Sequence, residues 1–132
     1  MVMQQLRVGM IGESIIKVTD AESARVMGSG ALDVFATPAM IALMEAASVA
    51  AIDPFLDTRQ ASVGIHLDVK HVAATPLGER VTAIAEITHI EDQRVTLEVR
   101  AWDEHDMIGE GRHIRYIIDI DRFMQRIRYD NL

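Results

Sequence analysis

TPAMIALMEAASVAAI, residues 37–52, is the longest apolar segment of the sequence. Its Ala, Met, Leu and Glu residues favour an α-helix. Thr37 is expected to be the N-cap and Pro38 the first helical residue, where a missing N–H costs nothing. Asp53 followed by Pro54 predicts the end of the helix. Because apolar side chains occupy every side of this helix, we expect it to be buried on all sides.

The segments before and after this helix are predicted mainly as β-strands. Residues 13–19 are predicted as a short strand, residues 20–31, which are small and polar, as a loop, and residues 121–130 as a terminal helical turn. Four strand-like segments follow the helix, and the short turns between the last three predict antiparallel hairpins. These four segments are residues 62–74, 80–90, 94–103 and 107–120.

The arrangement of one long helix and five strands limits the possible folds. A flat sheet cannot cover a helix on all sides, so the sequence predicts a strongly curved sheet. The expected fold is of the α+β class, a single domain over residues 1–132 with one long central helix wrapped by a five-stranded antiparallel sheet. Such a sheet leaves an open edge and apolar surface that a second copy would cover, so we expect a homodimer or a higher oligomer.

Composition excludes several classes of function. The chain has 132 residues, a formal net charge of −7 and no cysteine. The acidic balance argues against nucleic acid as a partner, and the lack of cysteine excludes disulfides and thiolate catalysis. The first 13 residues contain no sustained apolar run, and no segment has 18 uninterrupted apolar residues, so we expect no signal peptide, no membrane partner and a cytoplasmic location. No metal-ligand or nucleotide-binding motif is present, so we expect neither a metal nor a cofactor.

Glu45 is the first candidate for a functional residue. It lies in the middle of the predicted helix, with Ile41, Ala42 and Val49 at neighbouring helical positions. An ionised carboxylate in apolar surroundings is costly, and carboxylates in such places often belong to functional sites. The alternative is a structural role, in which the carboxylate reaches a solvent-facing groove or pairs with a buried arginine.

His71 is the second candidate. Alternation along residues 62–74 places it at the end of an apolar row that should face the helix. The other members of this row are Val63, Ile65, Leu67 and Val69. A core histidine bonded to a backbone carbonyl, or a β-bulge that reverses the alternation, would explain the same pattern without a function.

Thr37 and Gly64 are weaker candidates. An N-cap hydroxyl ordinarily bonds only a helix N–H, although a helix N-terminus also suits an anion or a carbonyl that becomes one. A glycine within a strand indicates either a bulge or a close backbone approach, and its N–H could face a ligand carbonyl. Thr37 and Glu45 are roughly 12 Å apart along the helix axis, so a third group would have to lie between them.

Two segments resemble a known family. Residues 34–45, VFATPAMIALME, resemble the central-helix motif of fluoroacetyl-CoA thioesterase-like proteins, a branch of the hotdog-fold thioesterases. Residues 71–76, HVAATP, resemble that branch's His-x-Ala-Ala-Thr-Pro stretch, and the similarity runs from about residue 6 to residue 128. Arg115 falls where the branch has an arginine late in the chain.

The resemblance implies a β-α-β4 hotdog, a dimer with a continuous sheet, and hydrolysis of an acyl-CoA thioester to the free acid and CoA. It implies that Thr37, Glu45 and His71 are catalytic and that Gly64 and Arg115 bind substrate. Glu45 would either attack the thioester carbonyl or direct a water molecule, with His71 as the proton carrier.

The sequence departs from the family pattern in one place and leaves two rival functions. Residues 28–31 read GSGA, where the fluoroacetyl-specialised pattern has bulky aromatic residues, which argues against fluoroacetyl specificity.

A hotdog enoyl-CoA hydratase or dehydratase is one alternative function, although the Asp-x4-His spacing of MaoC-type enzymes is missing at Asp68 and His71. A non-catalytic acyl-CoA-binding module is the other.

Overall fold

The computed structural model describes residues 6–127. Five strands and three helices follow one another along these residues. They are β1 (Ile11–Lys17), α1 (Ala24–Met27), α2 (Thr37–Ile52), β2 (Gln60–His71), β3 (Arg80–Glu91), β4 (Arg94–Trp102), β5 (Met107–Asp119) and α3 (Ile120–Gln125). Two short 3-10 turns, Asp20–Glu22 and Asp53–Phe55, precede α1 and follow α2.

The five strands form one antiparallel sheet in the order β1-β3-β4-β5-β2. Helix α2 lies against the sheet, mainly over β1 and β3. Gly12 of β1 permits the closest approach, because a Cβ at this position would collide with the helix backbone at Ala47 and Ala51. The predicted α+β class, with one long helix against a five-stranded antiparallel sheet, is confirmed.

The expectation that α2 is buried on all sides is wrong for a single chain. Met40, Met44 and Ala47 are completely buried against the sheet. Ala42, Ala46 and Ala50, four residues apart and therefore on one face, are exposed. The reason is that α2 covers the β1 side of the sheet and makes few contacts with β2.

The apolar composition of α2 extends into the following turn. By length and mean hydropathy of 1.3, the segment Thr37–Phe55 could cross a membrane. Its packing against the sheet explains the same composition, because the core helix of a folded domain also needs a long apolar run.

The segment that the sequence predicted as a loop contains two short helical turns. The side chains and backbones of Thr19 and Glu22 form a reciprocal capping box at the first turn, and Ser23 caps α1. Helix α1 ends at Met27, and its C-cap is Gly28, where the φ of +76° favours a residue without a Cβ. The spacing of Thr19 and Glu22 is a capping signal that the composition of the segment concealed.

Strand β2 contains a β-bulge that reverses the predicted alternation. The register against β5 shifts between Gly64 and His66. Gly64 pairs with the buried Arg115 before the bulge, and Leu67 pairs with the buried His113 after it. The prediction that Val63 and Ile65 face the helix is therefore wrong, since Ile65 is the extra residue and is 49% exposed.

The other strand predictions differ from the structure only at their ends. Strand β1 begins and ends two residues earlier than expected. The terminal helical turn is confirmed as α3, which begins at Ile120 with the Asp119 side chain accepting from the Arg122 N–H. Residues 128–130 of the predicted turn lie outside the described residues.

Candidate active site

The hydroxyl of Thr37 contacts an imidazole rather than the helix backbone. Ala36 is the N-cap of α2, and no side chain caps this end of the helix. Thr37 is the first helical residue and Pro38 the second, so the predicted N-cap role of Thr37 is wrong. Its Oγ1 lies 2.8 Å from Nδ1 of His71, at the end of β2. The first residue of the helix therefore presents a hydroxyl to the sheet instead of using it to start the helix.

The other ring nitrogen of His71 is available for chemistry. Its Nε2 is buried and has no hydrogen-bond partner among the residues that the structure describes. Burial lowers the pKa of His71, and a hydrogen bond with the backbone of Ala73 only partly opposes this effect. The imidazole is therefore neutral near pH 7 and can accept a proton.

Glu45 lies farther along α2 and has different partners. Its Oε2 lies 3.3 Å from Nη1 of Arg115 and 3.9 Å from Nε2 of His113, while 38% of its side chain stays exposed. The imidazole that contacts Glu45 within one chain is thus that of His113, not that of His71. The structure shows the contact that the sequence analysis considered for Glu45, a carboxylate paired with a buried arginine.

Arg115 is held by several protein groups at once. Its Nε donates to Oγ of Ser62 and its Nη2 to the Ser62 carbonyl oxygen, both at 2.8 Å. The Ser62 hydroxyl in turn donates to Oδ1 of Asp53 at 2.6 Å. Burial lowers the pKa of Arg115 and the charges of Glu45 and Asp53 raise it, so the guanidinium remains charged. Because its donors point at protein groups, the geometry suits positioning of Glu45 better than the predicted contact with substrate.

His113 is a member of this cluster that the sequence analysis did not single out. It is completely buried on β5. Its Nδ1 lies 2.8 Å from the backbone oxygen of His66, and its Nε2 lies 3.1 Å from Nη1 of Arg115. The two-residue spacing from Arg115, which puts both side chains on one face of a strand, is the signal that could have found it.

Gly64 permits the carboxylate of Glu45 to reach the sheet. A Cβ built on Gly64 would lie 2.6 Å from Oε2 of Glu45 and 3.1 Å from the His113 ring. A larger residue would therefore displace the carboxylate. This is the close approach that a glycine within a strand predicted.

The candidate residues form two groups in a single chain. Thr37 and His71 meet at the N-terminus of α2, whereas Glu45, Arg115 and Gly64 meet about two turns farther along the helix. A cavity of about 390 Å³ opens beside the Thr37–His71 pair. Within residues 6–127, no cluster of three or more acidic or histidine side chains is arranged to hold a metal ion.

Comparisons with known proteins agree with this architecture. Residues 18–121 match the family described as fluoroacetyl-CoA-specific thioesterase. The fluoroacetyl-CoA thioesterase of Streptantibioticus cattleyicolor is 42% identical over 96 residues, which are 73% of this chain and 69% of that protein. A crystal structure of a variant of the fluoroacetyl-CoA-specific thioesterase FlK superposes with a TM-score of 0.87 at 35% identity, covering 94% of this chain and 96% of that one.

The fold itself is shared with more distant proteins. A hot-dog-like protein from Thermanaerovibrio acidaminovorans superposes with a TM-score of 0.85 at 24% identity, covering 93% of this chain and 91% of that one. The predicted hotdog fold is therefore confirmed. Taken with the family match over residues 18–121, these likenesses show that the chain belongs to the fluoroacetyl-CoA-specific thioesterase family.

Proposed function

We propose that this protein hydrolyses an acyl-CoA thioester to the free acid and CoA. The observation that carries the proposal is the 2.8 Å contact between Thr37 Oγ1 and His71 Nδ1, which leaves a buried, unpartnered Nε2 on a neutral imidazole. In the reaction, a C–O bond forms at the thioester carbonyl, the C–S bond breaks, and a proton from the attacking water passes to the departing thiolate. Its relatives are thioesterases, which supports the same reaction here.

In this proposal the chain supplies the groups for proton transfer, for attack on the carbonyl carbon and for polarisation of the carbonyl. The neutral His71 accepts and returns the proton, and Thr37 orients its ring. Glu45 either attacks the carbonyl carbon or directs a water molecule to it, and Arg115 holds the carboxylate in place. The backbone N–H of Gly64 polarises the thioester carbonyl.

The active form in this proposal is a homodimer. Strand β2 is an edge strand, and residues 64–68 along it are exposed. Two apolar residues in this stretch, Ile65 and Leu67, are 49% and 38% exposed. An antiparallel pairing of β2 with its copy would continue the sheet and cover apolar side chains along this edge.

The dimer also explains why the candidate residues form two groups. In an antiparallel pair with its two-fold axis near Leu67 and Asp68, His71 lies opposite the region of Gly64 of the partner subunit. That region carries the partner's Glu45. Each active site then combines Thr37 and His71 of one subunit with Glu45 of the partner subunit.

The test is release of free thiol from a panel of acyl-CoAs. Glu45→Ala and His71→Ala are each expected to lower kcat/KM by about 100-fold or more while the fold is retained. The matched controls are Glu86→Ala and His89→Ala, two exposed positions on β3. Unchanged turnover in either site variant removes that residue from the mechanism. Loss of enoyl-CoA absorbance without thiol release would instead indicate a hydratase, and binding without turnover would indicate a binding module.

The cytoplasmic location and the lack of nucleic-acid or membrane partners remain predictions from composition. They accord with an enzyme acting on a small metabolite thioester.

A further inference from the structure

Five of the twelve residues that line the cavity beside Thr37 and His71 are glycine or alanine. Its volume is about 390 Å³, near the lower end of the range for small-molecule sites. These small residues are Ala24, Gly30, Ala31, Ala73 and Ala74, and the larger Leu32, Val34, Phe35 and Val72 complete the apolar part of the lining. The small side chains leave space that larger ones at the same positions would occupy.

The side chains that line the cavity suit the acyl group of an acyl-CoA better than its CoA part. None of the lining residues carries a formal charge when His71 is neutral, and the polar side chains among them are those of Ser29, Thr37 and His71. The phosphates of CoA need cationic partners, which no side chain that lines this cavity offers. An apolar acyl chain needs none.

The same lining disfavours an acyl group that carries a second carboxylate. A carboxylate placed in this open cavity would lose part of its hydration without gaining a cationic partner from the residues of one chain that line it. The rim is apolar as well, since Leu32 is 67% exposed and Val72 is 56% exposed. A longer chain would cover these side chains, whereas a two-carbon acyl group would leave them in water.

We propose that this cavity is the acyl pocket and that it selects uncharged aliphatic acyl groups longer than acetyl. This inference rests on the proposed thioesterase function and adds the substrate class. The residues that set the limit are Gly30 and Ala31. A Cβ on Gly30 would meet only the Ala24 Cβ, at 3.5 Å, so the size of the pocket depends on which side chains stand at these two positions.

The experiment compares acetyl-CoA, butyryl-CoA and succinyl-CoA by thiol release. Butyryl is two methylenes longer than acetyl, and each buried methylene favours binding by roughly fourfold. We expect kcat/KM for butyryl-CoA to exceed that for acetyl-CoA by about fifteenfold. Succinyl has the same number of carbons as butyryl but ends in a carboxylate, and we expect it to be the poorest of the three substrates.

Ala31→Phe tests whether the cavity is the origin of the preference. The phenyl ring is expected to fill the pocket and to lower the butyryl-to-acetyl ratio by about tenfold. Ala21→Phe is the matched control, because Ala21 is exposed in the same segment and does not line the cavity. We expect this control to keep the wild-type ratio and the wild-type melting temperature.

The outcomes separate this inference from the function on which it rests. Hydrolysis of acetyl-CoA with an equal or lower rate on butyryl-CoA overturns the inference and leaves the thioesterase function intact. A succinyl-CoA rate equal to that of butyryl-CoA, or an unchanged ratio in Ala31→Phe, also overturns it. If no acyl-CoA releases thiol, both proposals fail.

Discussion

The guanidinium of Arg115 donates to Nε2 of His113 at 3.1 Å, and this contact sets the tautomer of the imidazole. The opposite nitrogen, Nδ1, faces the backbone oxygen of His66, which can only accept a hydrogen bond. Nδ1 must therefore carry the proton, and Nε2 must be the acceptor. A neutral His113 thus connects the bulge in β2 to the arginine that holds Glu45.

His113 is predicted to position Glu45 through Arg115. In His113→Phe both hydrogen bonds are lost and the ring volume is approximately kept, so kcat should fall by about tenfold with little change in KM. His113→Asn can still donate to the His66 oxygen but cannot reach Arg115. We expect the melting temperature of His113→Asn to be closer to that of the wild type than the melting temperature of His113→Phe, whereas kcat should stay nearly as low as in His113→Phe. If kcat returned to the wild-type value together with the melting temperature, His113 would have a role in stability alone.

The pH dependence follows from the burial of His71. Burial lowers its pKa below the ordinary value of 6.5, so the active, neutral form is populated above that value. We expect kcat/KM to be flat above pH 6.5 and to fall only at lower pH. A half-maximal rate above pH 7 would contradict the role of His71 as the proton acceptor.

Stability should change with pH in the same direction. In the unfolded chain both histidines have the ordinary pKa of 6.5, whereas burial lowers the pKa of His71 and of His113 in the folded chain. The unfolded state therefore gains protons first, and the free energy of unfolding should decline as the pH falls below about 6.5. Urea unfolding at pH 5.5 and 7.5 measures this, and the pH difference should shrink in His113→Phe.

Thr37 is predicted to affect catalysis and not the stability of α2. Thr37→Val keeps the shape of the side chain and removes the hydroxyl that contacts His71, so kcat/KM should fall by about tenfold or more. Thr37→Ser retains the hydroxyl and should retain most of the activity. Because Ala36 is the N-cap, any stability that the Val variant loses reflects the hydrogen bond with His71 and not a helix cap. Unchanged kcat/KM in Thr37→Val would contradict the role of Thr37 in orienting His71.

Subunit mixing tests whether the active site spans the dimer. In a heterodimer of one Glu45→Ala subunit and one His71→Ala subunit, one composite site contains both substitutions. The other composite site contains neither and is intact. Random mixing should therefore restore about a quarter of the wild-type activity, because half of the dimers are mixed and each has one intact site. Each variant alone, at the same concentration, is the control. If each site lay within one chain, every site would keep one defect and mixing would restore nothing.

Several features of this protein were accessible from local sequence patterns. The long helix followed from its composition and from the Asp53-Pro54 stop, and the strands followed from alternation and from the turns between them. These signals act over a few residues and need no knowledge of the rest of the chain. The family followed from two short motifs with a fixed separation.

Tertiary structure decided where the side chains of the candidate residues point. The bulge at Ile65 turns Gly64 and Leu67 towards the same side of the sheet, which strict alternation does not allow. The pairing of β2 with β5 then brings Ser62 to Arg115 and joins Glu45 to His113, far apart in sequence. Strands β2 and β5 are distant in the sequence and their register shifts at a bulge, so alternation within one segment does not predict these contacts.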